Sequence, residues 1–433
     1  MVNNLNKDNI LSLVREYARE KHCREPFVGG DKLGYSGRVY DEEEIVNLVD
    51  SALEFWLTSG RYTKEFERKL ADYIGVKYCL FVNSGSSANL CAFMTLTSPL
   101  LGDRAIRRGD EVITVAAGFP TTIAPIVQFG AVPVFVDITI PGYNIDCSLL
   151  ENAVTDRTKA VILAHTLGNP FDLSRVKSFC EAHNLWLIED NCDSLGSLYF
   201  GKKTGSFGDL ATSSFYPPHH ITTGEGGAVY TDNPLLAKIA KSMRDWGRDC
   251  VCESGQDNLC GHRFDGQYGQ LPKGYDHKYV YSHFGYNLKA TDLQAAVGVA
   301  QLDKIDDFTK KRRANFDKLY NIFKDYEDKF VLPQPEKNSE PSWFGFPLLC
   351  KENVDREKVV RFYEENNIQT RMLFAGNITK QPCMKGVSYR STELKNTDLI
   401  MTNLFWLGVY PGLDDNAVSY ICDVARKMNS ILN

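Results

Sequence analysis

Apolar side chains recur at every third or fourth position through Ile45, Leu48, Val49, Ala52 and Trp56, which predicts an amphipathic helix with Gly60 as its stop. Residues 1–40 ahead of it are polar, contain glycine and show no long apolar period, so they predict an arm or a partly extended segment. After the helix the pattern changes period. Short β-branched or apolar runs at 111–115, 132–136, 160–164 and 185–188 are separated by helical stretches, and that alternation predicts an α/β protein with a mostly parallel sheet covered on both faces.

Near Asp303 the chain turns to a charged helical run, and a proline-rich segment from Leu332 to Pro341 leads into a second α/β stretch. This predicts an N-terminal arm over 1–40, a large domain over 41–300 and a smaller C-terminal domain over 301–433. The segment from Gly247 to Asn287 is rich in glycine and polar residues and is longer than the ~12–15 residues beyond which structureless loops become uncommon. Loops of that length are either functional or disordered, and the cysteines in this one favour function.

Composition narrows the class. The chain has 433 residues with 49 basic and 55 acidic side chains, a net charge of −6 that argues against a surface built for nucleic-acid phosphates. At 43% hydrophobic residues it can bury a large core. No apolar stretch approaches the ~20 residues of a membrane span, and the polar start MVNNLNKDNI lacks a secretory apolar region, so the expected location is the cytoplasm. In that compartment the 12 cysteines are read as buried thiols, metal ligands or catalytic groups rather than a disulfide framework.

Three segments hold candidate chemistry. Asn83-Ser-Gly-Ser-Ser-Ala-Asn89 follows an apolar run and precedes a helical pattern; Gly85 with the hydroxyls of Ser86 and Ser87 fits an anion cradle at a helix start, or a plain capped helix. The run ending Glu189-Asp190-Asn191-Cys192-Asp193 places carboxylates beyond the end of a buried strand, where α/β folds bind ligands, although Asp190 equally suits a helix cap or a surface ion pair. Ser214 to Gly227 sets His219 and His220, two of only eight histidines, between two prolines and a glycine-rich turn, either to present an imidazole or as a surface pair.

These segments, with Gly60-Arg-Tyr-Thr63, Gly109-Asp-Glu-Val-Ile113, Ala164-His-Thr-Leu-Gly168 and Gly285-Tyr-Asn287, stand in the order and spacing of one family. From about residue 30 onward the chain resembles the sugar aminotransferases that act on nucleotide-linked keto-sugars with pyridoxal phosphate, a fold type I architecture with a large, mostly parallel mixed sheet and a smaller C-terminal α/β domain. The resemblance implies that Gly85, Ser86 and Ser214 bind the cofactor phosphate and that Phe119 stacks on its ring. It implies that Asp190 pairs with the pyridine nitrogen, keeping the ring cationic as an electron sink, and that Asn287 reaches the phosphate of the partner subunit in a homodimer.

The main departure is His219. The family's Schiff-base lysine falls at this position, and no lysine stands between Ser214 and Gly227. An imidazole cannot hold the cofactor covalently, but it can act as a base near neutral pH. With the amine form, pyridoxamine phosphate, condensed with a 4-keto-sugar, removal of a proton beside the ring expels the hydroxyl at sugar carbon 3. Asp193, where the family usually has His or Gln, and Tyr216, where it usually has His, agree with such a change of chemistry.

Cys192, Cys250, Cys252 and Cys260 make a ligand set sufficient for an iron–sulfur cluster or for zinc, and spacing prefers neither. The resemblance to the family's 3-dehydrase branch implies a 2Fe-2S cluster, a CDP-linked 4-keto-6-deoxyhexose substrate in 3,6-dideoxyhexose and lipopolysaccharide synthesis, and an NADH-dependent flavin iron–sulfur reductase as electron donor. The rivals are a dehydrase of a TDP-linked sugar, a 3-dehydratase that needs no external electrons, against which the four cysteines count, and a catalytically silent relative that binds zinc. The eight other cysteines read as core or spare thiols. Trp343, Phe344 and Arg371 fit either the border of a sugar site or core aromatics and a surface cation.

Overall fold

The computed structural model describes residues 6–259 and 261–432. Strands β1 (Tyr78–Val82), β2 (Glu111–Val115), β3 (Val132–Val136), β4 (Thr158–Ala164) and β5 (Trp186–Asp190) are followed by a short hairpin, β6 (Leu198–Tyr199) and β7 (Lys202–Lys203), and then by β8 (Leu210–Ser214) and β9 (Gly227–Thr231). The large sheet has the order β1-β9-β8-β5-β4-β2-β3 and is parallel from β8 to β3. β9 runs antiparallel to both β8 and β1. The β8–β9 connection holds no helix, and strands joined without a crossover pair antiparallel.

The apolar strand runs are buried on both faces. Val112, Ala160, Ile162, Trp186 and Ile188 pack on one side with Ala88, Ala92 and Phe93, while Ile113, Val161, Leu163 and Leu187 pack on the other with Val176 and Phe179. Successive side chains point to opposite faces, so a strand covered on both sides needs the continuous apolar run the sequence shows.

The remaining strands are β10 (Phe330–Val331), β11 (Ser339–Glu340), β12 (Gly345–Cys350), β13 (Thr370–Arg371), β14 (Arg390–Ser391) and β15 (Leu404–Gly408). A second sheet, β10-β12-β15-β13, is covered by the helices Ile305–Phe323, Arg356–Glu365 and Asp415–Leu432 through Phe316, Leu319, Val359, Tyr363, Val424 and Met428. β14 returns to the large sheet and pairs parallel with β3, extending it to eight strands.

Two sequence expectations are corrected. Residues Lys7–Lys21 form a helix, α1, rather than an extended arm; Asn6 caps it by accepting from the Asn9 N–H at 2.8 Å. It is held on α2 (Glu42–Glu54) largely by ion pairs, Lys7 with Asp50, Arg15 with Glu43 and Arg19 with Glu42, and Ala18 is its buried apolar contact. Ile10, Leu13, Val14, Tyr17 and Ala18 do recur at helical spacing, but charged residues flank them throughout and make the segment polar as a whole. The stop of α2 is Phe55, in the left-handed region at φ 54°, and Gly60 instead starts α3 (Arg61–Ile74). No helix among the described residues is long and apolar enough to cross a membrane.

Candidate active site

The C-terminal ends of β5 and β8 open onto a cleft of about 290 Å³ whose lining includes Gly85, Ser86, Phe119, Asp190 and Cys192, together with Asp193, Ser214, Tyr216 and His219. Ligands in open α/β sheets bind at this end of the strands, where helix N-termini converge. Here the helix is α4 (Gly85–Thr95), started by Ser84, whose hydroxyl accepts from the Ser87 N–H at 3.1 Å. A Cβ on Gly85 would meet the Cβ of Ser214 at 2.4 Å, and one on Gly227 would meet the Ser84 carbonyl oxygen at 2.4 Å. Only glycine lets the helix start, β8 and β9 close so tightly, and the closure leaves first-turn amides near the Ser214 hydroxyl, an arrangement able to take an anion. Phe119 and Tyr216 are half exposed to this space.

Asp190 is held from two sides. Its Oδ2 accepts from Asn89 Nδ2 at 2.8 Å and Thr122 Oγ1 at 2.7 Å, and its Oδ1 from the Cys192 N–H at 3.2 Å. Thr212 Oγ1 donates to Asn89 Oδ1 at 2.6 Å, which orients the Asn89 amide so that its NH2 faces the carboxylate. This network fixes the Asp190 carboxylate in the cleft.

His219 Nδ1 lies 3.5 Å from Asp193 Oδ1, and His219 stacks on Phe344 with ring centroids 5.3 Å apart. Burial lowers the imidazole to about 4, aided by the buried Arg312 cation and opposed by the Asp190 charge. Burial, with the Asp190 charge, raises the Asp193 carboxyl to about 8. At neutral pH the cleft therefore holds a free base beside a protonated acid. Among the described residues that line it there is no lysine.

The structure separates the two histidines. His220 is buried and its Nε2 is 2.7 Å from the Ser342 carbonyl oxygen, to which it donates; it does not line the cleft. Phe344 and Arg371 border the cleft, whereas Trp343 stacks on Phe316 with centroids 4.0 Å apart, in the core beside the second sheet. Asn287 is exposed, bridged to Asp245, away from the cleft of its own chain.

Among the described residues the expected metal ligands are not gathered. Cys192 lines the cleft while Cys250 and Cys252 line a separate small cavity with Arg263 and His277, and Cys260 lies outside the described residues. Among the described residues no three His, Cys, Asp or Glu side chains form a metal-binding group. Burial and the neighbouring Asp190 charge hold the Cys192 thiol in its protonated form.

Three residues escaped the sequence reading. Asn89 lay inside the glycine-serine motif with no sign that it serves Asp190, and Thr122 and Arg312 lie in helices without any local signal.

A doubly covered mixed sheet whose cleft sets a helix N-terminus against a fixed carboxylate defines the pyridoxal-phosphate-dependent transferase fold. Residues 39–426 match the DegT/DnrJ/EryC1/StrS aminotransferase family, and the chain belongs to that family. It is 53% identical over 423 residues to the lipopolysaccharide biosynthesis protein RfbH of Salmonella typhimurium, covering 97% of each chain. It is 49% identical over 420 residues to the dTDP-4-dehydro-2,6-dideoxy-D-glucose 3-dehydratase of Saccharopolyspora spinosa, covering 96% of this chain and 91% of that one. Among solved structures, the E. coli GDP-4-keto-6-deoxy-D-mannose-3-dehydratase with bound hydrated PLP matches with a TM-score of 0.81 and 28% identity, over 91% of this chain and 99% of that chain.

Proposed function

We propose that the protein is a pyridoxamine-phosphate-dependent dehydrase that removes the carbon 3 hydroxyl of a nucleotide-linked 4-keto-6-deoxyhexose. The carrying observation is His219, a neutral imidazole facing the cleft where the family's lysine stands. The cleft suits the cofactor: Gly85 leaves a cradle that a Cβ would fill, and His219 Nδ1 and Asp193 Oδ2 are buried polar atoms without a hydrogen-bond partner. The names of two relatives, both 3-dehydratases of nucleotide-linked keto-sugars, support the reaction class.

When bound, the cofactor supplies an amine that condenses with the 4-keto group and a cationic ring that withdraws electrons from the adjoining carbon. Gly85, Ser86 and Ser214 would hold its phosphate, Phe119 would cover its ring and Asp190 would meet its pyridine nitrogen. His219 takes a proton from the carbon adjoining the ring. The protonated carboxyl of Asp193 gives a proton to the departing carbon 3 hydroxyl, so one water is lost and the two side chains end as an imidazolium–carboxylate pair. Asn287 is proposed to reach the cofactor phosphate of the partner subunit in a homodimer, which its exposure on its own chain supports.

Incubating the purified protein with pyridoxamine phosphate and CDP- or TDP-linked 4-keto-6-deoxyglucose in deuterated water tests this. Loss of the carbon 3 hydroxyl and exchange of the cofactor proton are expected, both abolished by His219→Asn; retained chemistry in that variant overturns the assignment.

The finer reading is CDP-4-keto-6-deoxy-D-glucose 3-dehydrase, in lipopolysaccharide O-antigen synthesis. Cys192, Cys250, Cys252 and Cys260 would hold its 2Fe-2S cluster, fed by an NADH-dependent flavin iron–sulfur reductase, although the structure sets Cys192 in a different cavity from Cys250 and Cys252. The name of the Salmonella relative supports the pathway, and the shared cavity of Cys250 and Cys252 supports part of the ligand set. Protein purified without oxygen should contain about two irons and matching sulfide per chain, lost in Cys252→Ser. A colourless zinc protein sinks the cluster, and preference for the TDP-sugar sinks the CDP assignment.

A further inference from the structure

Arg312 is a fully buried guanidinium on the helix Ile305–Phe323, with 1% of its surface exposed. Such a charge ordinarily meets a carboxylate. Among the described residues it hydrogen-bonds none. Its Nη1 instead donates to the carbonyl oxygens of Trp343 at 3.2 Å and Val409 at 2.5 Å, and its Nη2 to the carbonyl oxygen of His219 at 3.1 Å, while Nε has no partner.

The three acceptors lie on three separate segments. His219 belongs to the β8–β9 connection, Trp343 precedes β12 and Val409 follows β15. One planar fork therefore ties the cleft loop to two strands of the second sheet. The guanidinium also sits 5.8 Å from the centre of the Phe344 ring, the same ring on which the His219 imidazole stacks. The backbone and the ring plane of His219 are thus both referred to one side chain. His219 Nδ1 and Asp193 Oδ2 have no hydrogen-bond partner, so apart from a hydrogen bond to the Cys192 backbone the imidazole depends on its ring contact and its backbone for its position.

We propose that Arg312 is the positioning residue of the His219 base, fixing it against the second sheet at the height and angle that proton transfer needs. The inference rests on the reading of His219 given above. Lysine keeps the charge but lacks the fork and cannot span three carbonyls. Because a displacement of about 1 Å at a reacting group costs on the order of 10²-fold in rate, Arg312→Lys should lower kcat by about that factor with KM and pyridoxamine phosphate affinity unchanged. It should also speed amide hydrogen exchange in the peptide from Tyr216 to Ile221 in the cofactor-free protein.

Hydrogen exchange separates positioning from general damage. In Arg312→Lys the faster exchange should be confined to the segments the fork ties together, and equally faster exchange throughout the protein overturns the proposal. So does an unchanged kcat in Arg312→Lys. If that variant does not fold, Phe344→Leu takes its place: it should loosen the same peptide and lower kcat, and unchanged exchange with unchanged kcat refutes the arrangement. If His219→Asn keeps its proton transfer, the base assignment fails by itself. The exchange rates in Arg312→Lys then decide whether Arg312 holds the segment.

Discussion

His219 Nδ1 stands 3.5 Å from Asp193 Oδ1, too far for a well-formed hydrogen bond and close enough for each group to feel a charge on the other. Their environment pushes the two titrations apart in opposite senses, so the cleft stores a proton on the carboxyl and a vacancy on the imidazole. That division of roles is what an elimination needs.

The pair predicts how stability depends on pH. The imidazole is lowered from 6.5 to about 4 by folding, so between those values the unfolded chain binds a proton that the folded one does not, and stability falls as pH falls. The loss amounts to at most about 3 kcal/mol. In the wild type the opposing titration of Asp193 offsets this slope between pH 4 and pH 6.5, so thermal denaturation of cofactor-free Asp193→Asn should show it over that range, and adding His219→Asn should flatten that part of the profile. Asp193 has the opposite sign: raised from 3.8 to about 8, its contribution is complete below the lower value and is lost as pH rises through the upper one. Asp193→Asn should remove the decline on the alkaline side.

The two neighbouring histidines should behave differently on substitution. His219→Asn is expected to fold, bind pyridoxamine phosphate and lose proton transfer. His220→Asn removes a buried hydrogen bond to the Ser342 carbonyl and should lower stability by about 1–3 kcal/mol, read as a fall in Tm. The reverse pattern would exchange their roles.

Gly85→Ala tests the cradle. A methyl group there meets Ser214 at 2.4 Å, so α4 must move away from β8. Pyridoxamine phosphate affinity, followed by absorbance titration, should drop at least about tenfold, equivalent to roughly 1.4 kcal/mol, while a free sugar nucleotide binds as before.

Asn287→Ala tests the subunit arrangement. The side chain is exposed on its own chain, so its loss should leave the Tm of the protein unchanged and weaken cofactor binding in the dimer. Unaltered affinity would remove Asn287 from the phosphate site.

Much of the architecture was visible beforehand because a strand covered on both faces must be apolar at every position. β2 and β3 coincide with their runs, and β4 and β5 differ from theirs only at the ends. The helix α1 was masked by the many charged residues of the N-terminal segment, although Ile10, Leu13, Val14, Tyr17 and Ala18 recur at helical spacing. The antiparallel β9 was equally hidden, because strand direction depends on the connection and not on the strand.

At the site, the glycine-serine motif and the strand-end carboxylate are short-range patterns of residue types and stood out in the sequence, while the missing lysine was visible only through the resemblance to the family. Which histidine faces the cleft was left open by two identical side chains in sequence. Folding decided it by turning His220 into the core and His219 outward. The support of Asp190 by Asn89 and Thr122, the unequal protonation of His219 and Asp193, and the grip of Arg312 on three distant carbonyls likewise arise only in the folded chain. Local sequence determines which chemical groups are present and how each short segment folds. Burial, distance and orientation between segments far apart in the chain determine what those groups can do, and these belong to the tertiary structure alone.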